Sequence, residues 1–439
     1  MTTHKHLKQR IRARMAKTGE RYAAARRHVI RTLALPQSDP AAHSHLPGNV
    51  PATTGLRVLL AHAGVRAPHT GEPYSEAMLF GIAGGIGVGV FSFFYEREDF
   101  ASFYVAGRHR WYDDLAYLSG ALARLGAEPL VRETSGAKAA AQQLHDALAG
   151  GPCIAWVDMA GLPHRGVPPQ WSGSGYHLVT VYRADAAAGT ALIGDLTDQP
   201  VEIGLEELAR ARGRIARDRH RLLSIAAPPA AGDLRAMVRA GLEACHDDLL
   251  HPALRGAPGN ARLDALRTWA ERLDGRGKER WERVFRPGPN LLRALCSVYD
   301  FIEHYGTGGG LCRPLFADFL AEAAEALGHP PLAALAERYA ELGRMWSGLA
   351  EAALPDDVPM LREAKELYAR KAELLHAGAG AEAVAGVWRR LGELEAQARE
   401  AFPLSDAAYA ELRAQLRAHV AALHEAEVAA HGAIPQALP

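Results

Sequence analysis

Between Gly150 and Ile203 the apolar residues come in short unbroken runs instead of helical stripes. P-C-I-A-W-V-D at 152–158, Y-H-L-V-T-V-Y at 176–182 and A-L-I-G-D at 191–195 each read as a short buried strand, with a fourth near 221–226. Two of them carry a lone polar side chain, His177 and Asp195. Helical spacing surrounds these runs and predicts helices over 55–63, from Asp114 through Leu125, over 137–149 and over 203–216, with Gly126 and Gly150-Gly151-Pro152 as stops. Ser75 predicts the cap of a further short helix, while V-G-V-F-S-F at 88–93 and F-A-S-F-Y-V-A-G at 100–107 are strand-like. Together these elements predict an α+β domain over 35–228, with a Pro/Ser/His/Gly-rich linker or active-site-bordering loop from Leu35 to Pro51 and a boundary at Pro228-Pro229.

Beyond residue 232 the strand periodicity stops. Leu367, Leu374, Leu391, Leu394, Leu412, Leu416, Val420 and Leu423 recur at helical spacing, which predicts an all-α domain over 232–439. Its one unusual loop is Gly306-Thr307-Gly308-Gly309-Gly310, ahead of Cys312-Arg313-Pro314. Residues 1–34 read as a basic amphipathic arm, helical on both sides of a Thr18-Gly19 break.

Composition narrows the function class. With 48% apolar and 23% charged residues in 439, the chain is of ordinary globular make-up and long enough for two or three cores. No apolar run reaches the roughly 18 residues of a membrane span, and no hydrophobic segment of a signal peptide follows the basic N-terminus, so a cytoplasmic protein is expected. A formal net charge of zero argues against attraction of the whole molecule to nucleic acid. Only the arm, where ten basic residues from Lys5 to Arg31 face a single acid, Glu20, is locally cationic. Its amphipathic pattern favours docking on the body or on a second copy, along the acidic faces of the C-terminal helices, and a homodimer is expected.

Cys153, Cys245, Cys296 and Cys312 lack disulfide or zinc-finger spacing, so no metal is expected and the thiols read as buried and reduced. The glycine run from Gly81 to Gly89 lacks the G-K-[ST] end of a phosphate loop and precedes a strand instead of a helix. No cofactor is expected; Gly84 and Gly85 read as a packed turn lining a ligand pocket.

Five further residues are candidates. His177 follows the access loop Gly173-Ser174-Gly175-Tyr176 and, with Asp195, has the makings of a general base oriented by a carboxylate. Tyr176 would border the ligand. Asp158 ends a buried strand, where it either faces the same pocket or caps the Met159 to Gly166 loop. Glu76 is either a first-turn acid favoured by the helix dipole or a pocket residue.

The segments S-E-A-M-L-F-G-I-A-G-G-I-G at 75–87, P-C-I-A-W-V-D ending at Asp158, Y-H-L-V-T-V-Y at 176–182 and G-D-L-T-D-Q-P at 194–200 resemble the family of the butirosin biosynthesis protein H N-terminal domain. Y-G-T-G-G-G-L-C-R-P-L-F-A-D-F-L-A-E-A-A at 305–324, with Trp346, resembles the helical domain of unknown function that accompanies it. The resemblance covers most of residues 50–350. It implies a papain-like fold and transfer of an acyl group from a carrier-protein thioester to an amine in specialised metabolism. It also implies a His-Cys pair opening the first helix, with the Cys as acyl acceptor. Here that position reads Val50-Pro51, and proline has neither a nucleophile nor a backbone N–H. Cys153 lies inside an apolar strand. Thr53 and Thr54 are the nearest hydroxyls and read as capping residues.

Two readings follow. One is a ligand-binding or acyl-transfer protein in which an amine attacks a carrier-bound thioester directly, His177 and Asp195 serving as base and orienter across a cleft beside the 54–63 helix. The other is an inactive scaffold or interaction protein on the same fold. The substrate in either case is a small molecule or peptide.

Overall fold

The computed structural model describes residues 2–31, 45–173, 175–227, 232–251, 254 and 258–439. The linker up to residue 44, Ser174 of the access loop and the Pro228-Pro229 boundary lie outside them. In chain order come α1 (Thr2–Thr18), α2 (Tyr22–Arg31), α3 (Pro51–His62), α4 (Glu76–Ile82), β1 (Ile86–Tyr95), β2 (Phe100–Arg108) and α5 (Asp114–Arg124). Then follow β3 (Pro129–Arg132), α6 (Ala137–Ala149), β4 (Cys153–Asp158), β5 (Tyr176–Asp185), β6 (Thr190–Gly194), β7 (Val201–Gly204), α7 (Leu205–Arg214) and β8 (Leu222–Ile225). The remainder is helical: α8 (Leu234–Leu250), α9 (Asp264–Leu273), α10 (Trp281–Val284), α11 (Pro289–Glu303), α12 (Arg313–Leu327), α13 (Pro330–Ala353), α14 (Pro359–His376), α15 (Ala381–Glu400) and α16 (Asp406–Gly432). The chain is thus mixed α and β with a helical C-terminal region, and among the described residues no helix is long and apolar enough to cross a membrane.

These elements form two compact units. The first comprises Met1–Leu79, Leu118–Leu234 and Arg370–Trp388; the second comprises Phe80–Tyr117, Arg235–Ala369 and Arg389–Pro439. One division between the units falls at Leu234–Arg235, near residue 230, and two segments, Phe80–Tyr117 and Arg370–Trp388, each belong with the unit on the other side of it. The β1–β2 hairpin goes with the C-terminal helices because its apolar side is covered there: the Phe103 ring lies 5.0 Å from that of Trp269 and 5.2 Å from that of Trp281. Residues 370–388 go with the first unit, where the His376 ring stacks on Tyr22 at 5.7 Å and its carbonyl accepts from the Asp198 amide.

The first unit is built on a six-stranded sheet in the order β3-β8-β4-β5-β6-β7, antiparallel throughout. Alternation along the strands gives it two apolar sides. Cys153, Ala155, Val157, Val179, Val181 and Ile193 pack with Leu144 and Ala147 of α6 and Leu208 and Ala211 of α7. On the other side lie Ile154 and Thr180, against which α3 seats Gly55. A Cβ at Gly55 would fall 2.9 Å from the Ile154 side chain, so only glycine permits this approach. The arm belongs to this unit as well: α1 and α2 pack Leu7, Ile11, Tyr22, Ala25 and Val29 together.

In the second unit the loop before α12 is strained. Gly308, Gly309, Gly310, Leu311 and Cys312 all have positive φ, at 69°, 87°, 54°, 50° and 68°. For Leu311 and Cys312 this costs about 1–2 kcal/mol each. Arg313, fully buried, donates to the carbonyls of Leu311 (2.8 Å), Gly107 (3.2 Å) and Gly87 (3.1 Å), tying the loop to the hairpin.

Candidate functional site

Helix α3 starts at Pro51, with Val50 as its uncapped N-cap residue. The amides just ahead of it are consumed by one carboxylate. Glu76 accepts from Asn49 N at 2.7 Å and Val50 N at 2.8 Å through Oε1, and from the Asn49 side-chain amide at 2.8 Å through Oε2. The Thr54 hydroxyl adds a fourth bond at 3.1 Å. A buried carboxylate at a helix N-terminus is stabilised by these donors and by the dipole. Glu76 therefore fixes the segment that opens α3.

Arg26 of the arm clamps the same segment. Its Nη1 donates to the Gly48 carbonyl at 2.9 Å, while Nη2 donates to the Leu196 carbonyl at 3.1 Å and to Asp198 Oδ1 at 3.0 Å. The guanidinium is almost wholly buried, so this part of the cationic arm is an internal strut. Sequence reasoning placed Arg26 only in a charge run; nothing in its spacing separates it from its neighbours.

The second polar centre lies at the end of β6. His177 Nε2 stands 2.8 Å from Asp195 Oδ1, so the two candidates meet. Two residues that the sequence did not single out join them. Arg165 Nε and Nη2 donate to Asp195 Oδ2 and Oδ1, each at 2.7 Å, and His164 Nε2 lies 2.8 Å from Oδ2. The Leu196 amide also donates to Oδ1 at 2.7 Å, and Arg165 Nη2 lies 2.8 Å from His177 Nε2. The short turn Pro163–Arg165, stopped by Gly166 at φ 54°, presents both new residues. A Cβ on Gly166 would fall 2.8 Å from the Ala385 amide, which holds that turn close to α15.

Burial alone would push the Asp195 carboxyl up, but the Arg165 guanidinium foremost, with the two neighbouring histidines, holds it well below the usual carboxylate range. Burial and then the Arg165 guanidinium push the His177 imidazole below its ordinary value against the pull of Asp195. The cluster is thus a carboxylate matched by one guanidinium, with His177 favoured neutral.

A recess of about 10 Å³ separates α3 from the sheet, room for roughly one water. Pro51, Thr54, Gly55, Thr180, Tyr182 and Asp195 are among its walls; His177 is not. The strand's alternation explains this. Leu178 and Thr180 point toward α3, whereas His177 shares the side of Val179 and Val181. His45 closes the recess, its Nδ1 2.9 Å from the Tyr182 hydroxyl and its Nε2 2.8 Å from the Thr197 carbonyl.

The remaining candidates are dispersed. Asp158 accepts from the amides of Gly173 (2.6 Å) and Ala160 (3.2 Å) and from the Ser172 hydroxyl (3.3 Å), bonds that clasp the loops at the end of β4. Tyr176 is exposed, with the Arg217 guanidinium 4.5 Å over its ring. Gly84 and Gly85 lie in the second unit, where a Cβ would strike His109 at 2.5 Å and Phe316 at 2.4 Å, so close packing accounts for both glycines.

Residues 51–196 match the family described as Butirosin biosynthesis protein H, N-terminal. The match opens on Pro51 and closes one residue past Asp195, so it takes in Glu76 and the cluster of His164, Arg165, His177 and Asp195. Residues 205–358 match a second family, described as Domain of unknown function (DUF4872), which includes the strained glycine loop. No curated protein matches the chain.

In this butirosin biosynthesis protein H-like domain the sole cysteine is Cys153, whose thiol burial pushes up to about 12. All four cysteines of the chain are buried. Ellman's reagent is therefore expected to titrate none of them in the native protein within minutes and all of them after denaturation. Rapid native reaction at Cys153 would contradict its placement.

Proposed function

We propose that the first unit is a papain-like domain that binds an acyl-bearing small molecule or peptide, free or carrier-linked, and forms no acyl-enzyme. The observation that carries this reading is the start of α3: Pro51 supplies neither nucleophile nor amide, and the amides of Asn49 and Val50 are committed to Glu76. Covalent acyl transfer needs a nucleophile and unpaired donors for the oxyanion. Pro51 offers no nucleophile, and the two amides ahead of it are already taken by Glu76. The family match supports an acyl-transfer setting.

A second reading keeps catalysis without a covalent intermediate, and the 2.8 Å contact between a neutral His177 and Asp195 favours it. In that reaction the amine nitrogen bonds to the thioester carbon, its proton passes to His177, and the C–S bond breaks to release a thiolate that recovers the proton. The two readings separate in one assay. The protein is incubated with an acyl thioester of N-acetylcysteamine and a primary amine, with ligand binding followed by calorimetry and amide formation by chromatography. Binding without accelerated amide formation supports the first reading. Acceleration lost in His177→Ala supports the second, and absence of binding contradicts both.

A further inference from the structure

The lone pairs of Asp195 are oversubscribed. A carboxylate offers four acceptor sites, two per oxygen. Five nitrogens crowd them: Oδ2 faces Arg165 Nε and His164 Nε2, whereas Oδ1 faces Arg165 Nη2, the Leu196 amide and His177 Nε2, all at 2.7–2.8 Å. The first two fill Oδ2. On Oδ1 the guanidinium and the amide are obligate donors, and together they fill it. An imidazole nitrogen either donates or accepts, and of the two histidines it is His177 whose Nε2 also has a guanidinium nitrogen within reach, at 2.8 Å, from which it can accept.

Arg165 supplies the alternative. Its Nη2 carries two hydrogens and lies 2.7 Å from Asp195 Oδ1 and 2.8 Å from His177 Nε2. One hydrogen completes the fork on the carboxylate and the other is available to the imidazole. If His177 instead carried its proton on Nε2, that N–H would meet an oxygen already filled and stand 2.8 Å from another donor.

We propose that Arg165 is a positioning residue that holds His177 as the Nδ1–H tautomer, so that this centre offers a ligand an N–H donor, suited to an acyl carbonyl or carboxylate oxygen, where a His–Asp pair alone would offer a proton acceptor. The proposal rests on the binding reading for its use, but the tautomer itself does not depend on any ligand. Sequence order gives His and Asp; the guanidinium from the Pro163–Arg165 turn inverts the usual sense of the pair.

Nitrogen-15 NMR of the full chain with labelled histidine tests it, His177→Gln identifying the signal by its loss. The expected spectrum at pH 8 has a pyrrole-type Nδ1 and a pyridine-type Nε2 for His177. In Arg165→Lys, which keeps the charge but loses the planar fork, and in Arg165→Gln, the pattern is expected to invert to a pyrrole-type Nε2 facing Asp195. A pyrrole-type Nε2 in the unaltered protein overturns the proposal whether or not the variants fold, and so does an unchanged pattern in a folded variant. The binding reading fails separately, by absence of calorimetric binding of the acyl thioester to a protein whose tautomer is as expected.

Discussion

Glu427→Ala is expected to destabilise the second unit by about 3–5 kcal/mol, the usual cost of leaving a buried charge without its partner. Glu427 and Arg313 are both fully buried, and Arg313 Nε donates to Glu427 Oε1 at 2.6 Å. The Trp346 indole donates to the same oxygen at 2.7 Å. Removing the carboxylate leaves the buried guanidinium, which also donates to the carbonyl of the strained Leu311, without its charge partner. Trp269, Trp281 and Trp346 are all buried in this unit, so denaturant unfolding followed by tryptophan fluorescence reads the loss. A decrease below about 1 kcal/mol would mean the pair contributes no more than a surface ion pair.

Asp195→Ala carries a comparable expected cost in the first unit, about 3–5 kcal/mol, because Arg165 loses a forked carboxylate acceptor inside a buried cluster. The double variant Arg165→Leu with Asp195→Leu should recover a large part of that loss, since neither charge is then stranded. The effect also has a pH signature. The folded Asp195 carboxyl lies below its unfolded value of about 3.9, so the unfolded chain takes up the proton first. Its contribution is present above about pH 4 and is lost as the pH falls toward the folded value. His177 is likewise depressed, so below its unfolded value of about 6.5 the unfolded chain again binds the extra proton and stability declines. Stability measured from pH 8 downward should fall in these two stages. The lower stage should be reduced in Asp195→Ala, and an identical pH profile for the two proteins would contradict the assignment.

Much of this was legible before any coordinates. The strands expected at 153–158, 177–183, 190–195 and 221–226 correspond to β4, β5, β6 and β8, because fully buried strands write themselves as continuous apolar runs. β3 and β7 are four residues each and lie at the sheet edges, too short for periodicity to register. The Thr18-Gly19 break and the Ser75 cap, whose hydroxyl accepts from the Met78 amide at 2.9 Å, followed from local chemistry. What the sequence withheld is long-range. His164 and Arg165 sit in a loop whose pattern marks only a turn, and their meeting with Asp195 depends on how that turn is seated beside Ala385, more than 200 residues away in the chain. Arg26 was hidden among nine similar charges for the same reason. His177 and Asp195 were found from strand order, but strand order did not reveal that His177 leaves β5 on the side away from α3.

The claim that no acyl-enzyme forms is tested most directly by intact-protein mass spectrometry. The full chain is exposed to excess acyl-N-acetylcysteamine thioester at pH 7.5, quenched in acid and weighed. The structure predicts an unmodified mass at all times, because α3 opens on Val50-Pro51 and Cys153 is buried in β4. A stoichiometric acyl adduct mapped to any residue of the first unit, Thr54 and Cys153 included, would contradict it.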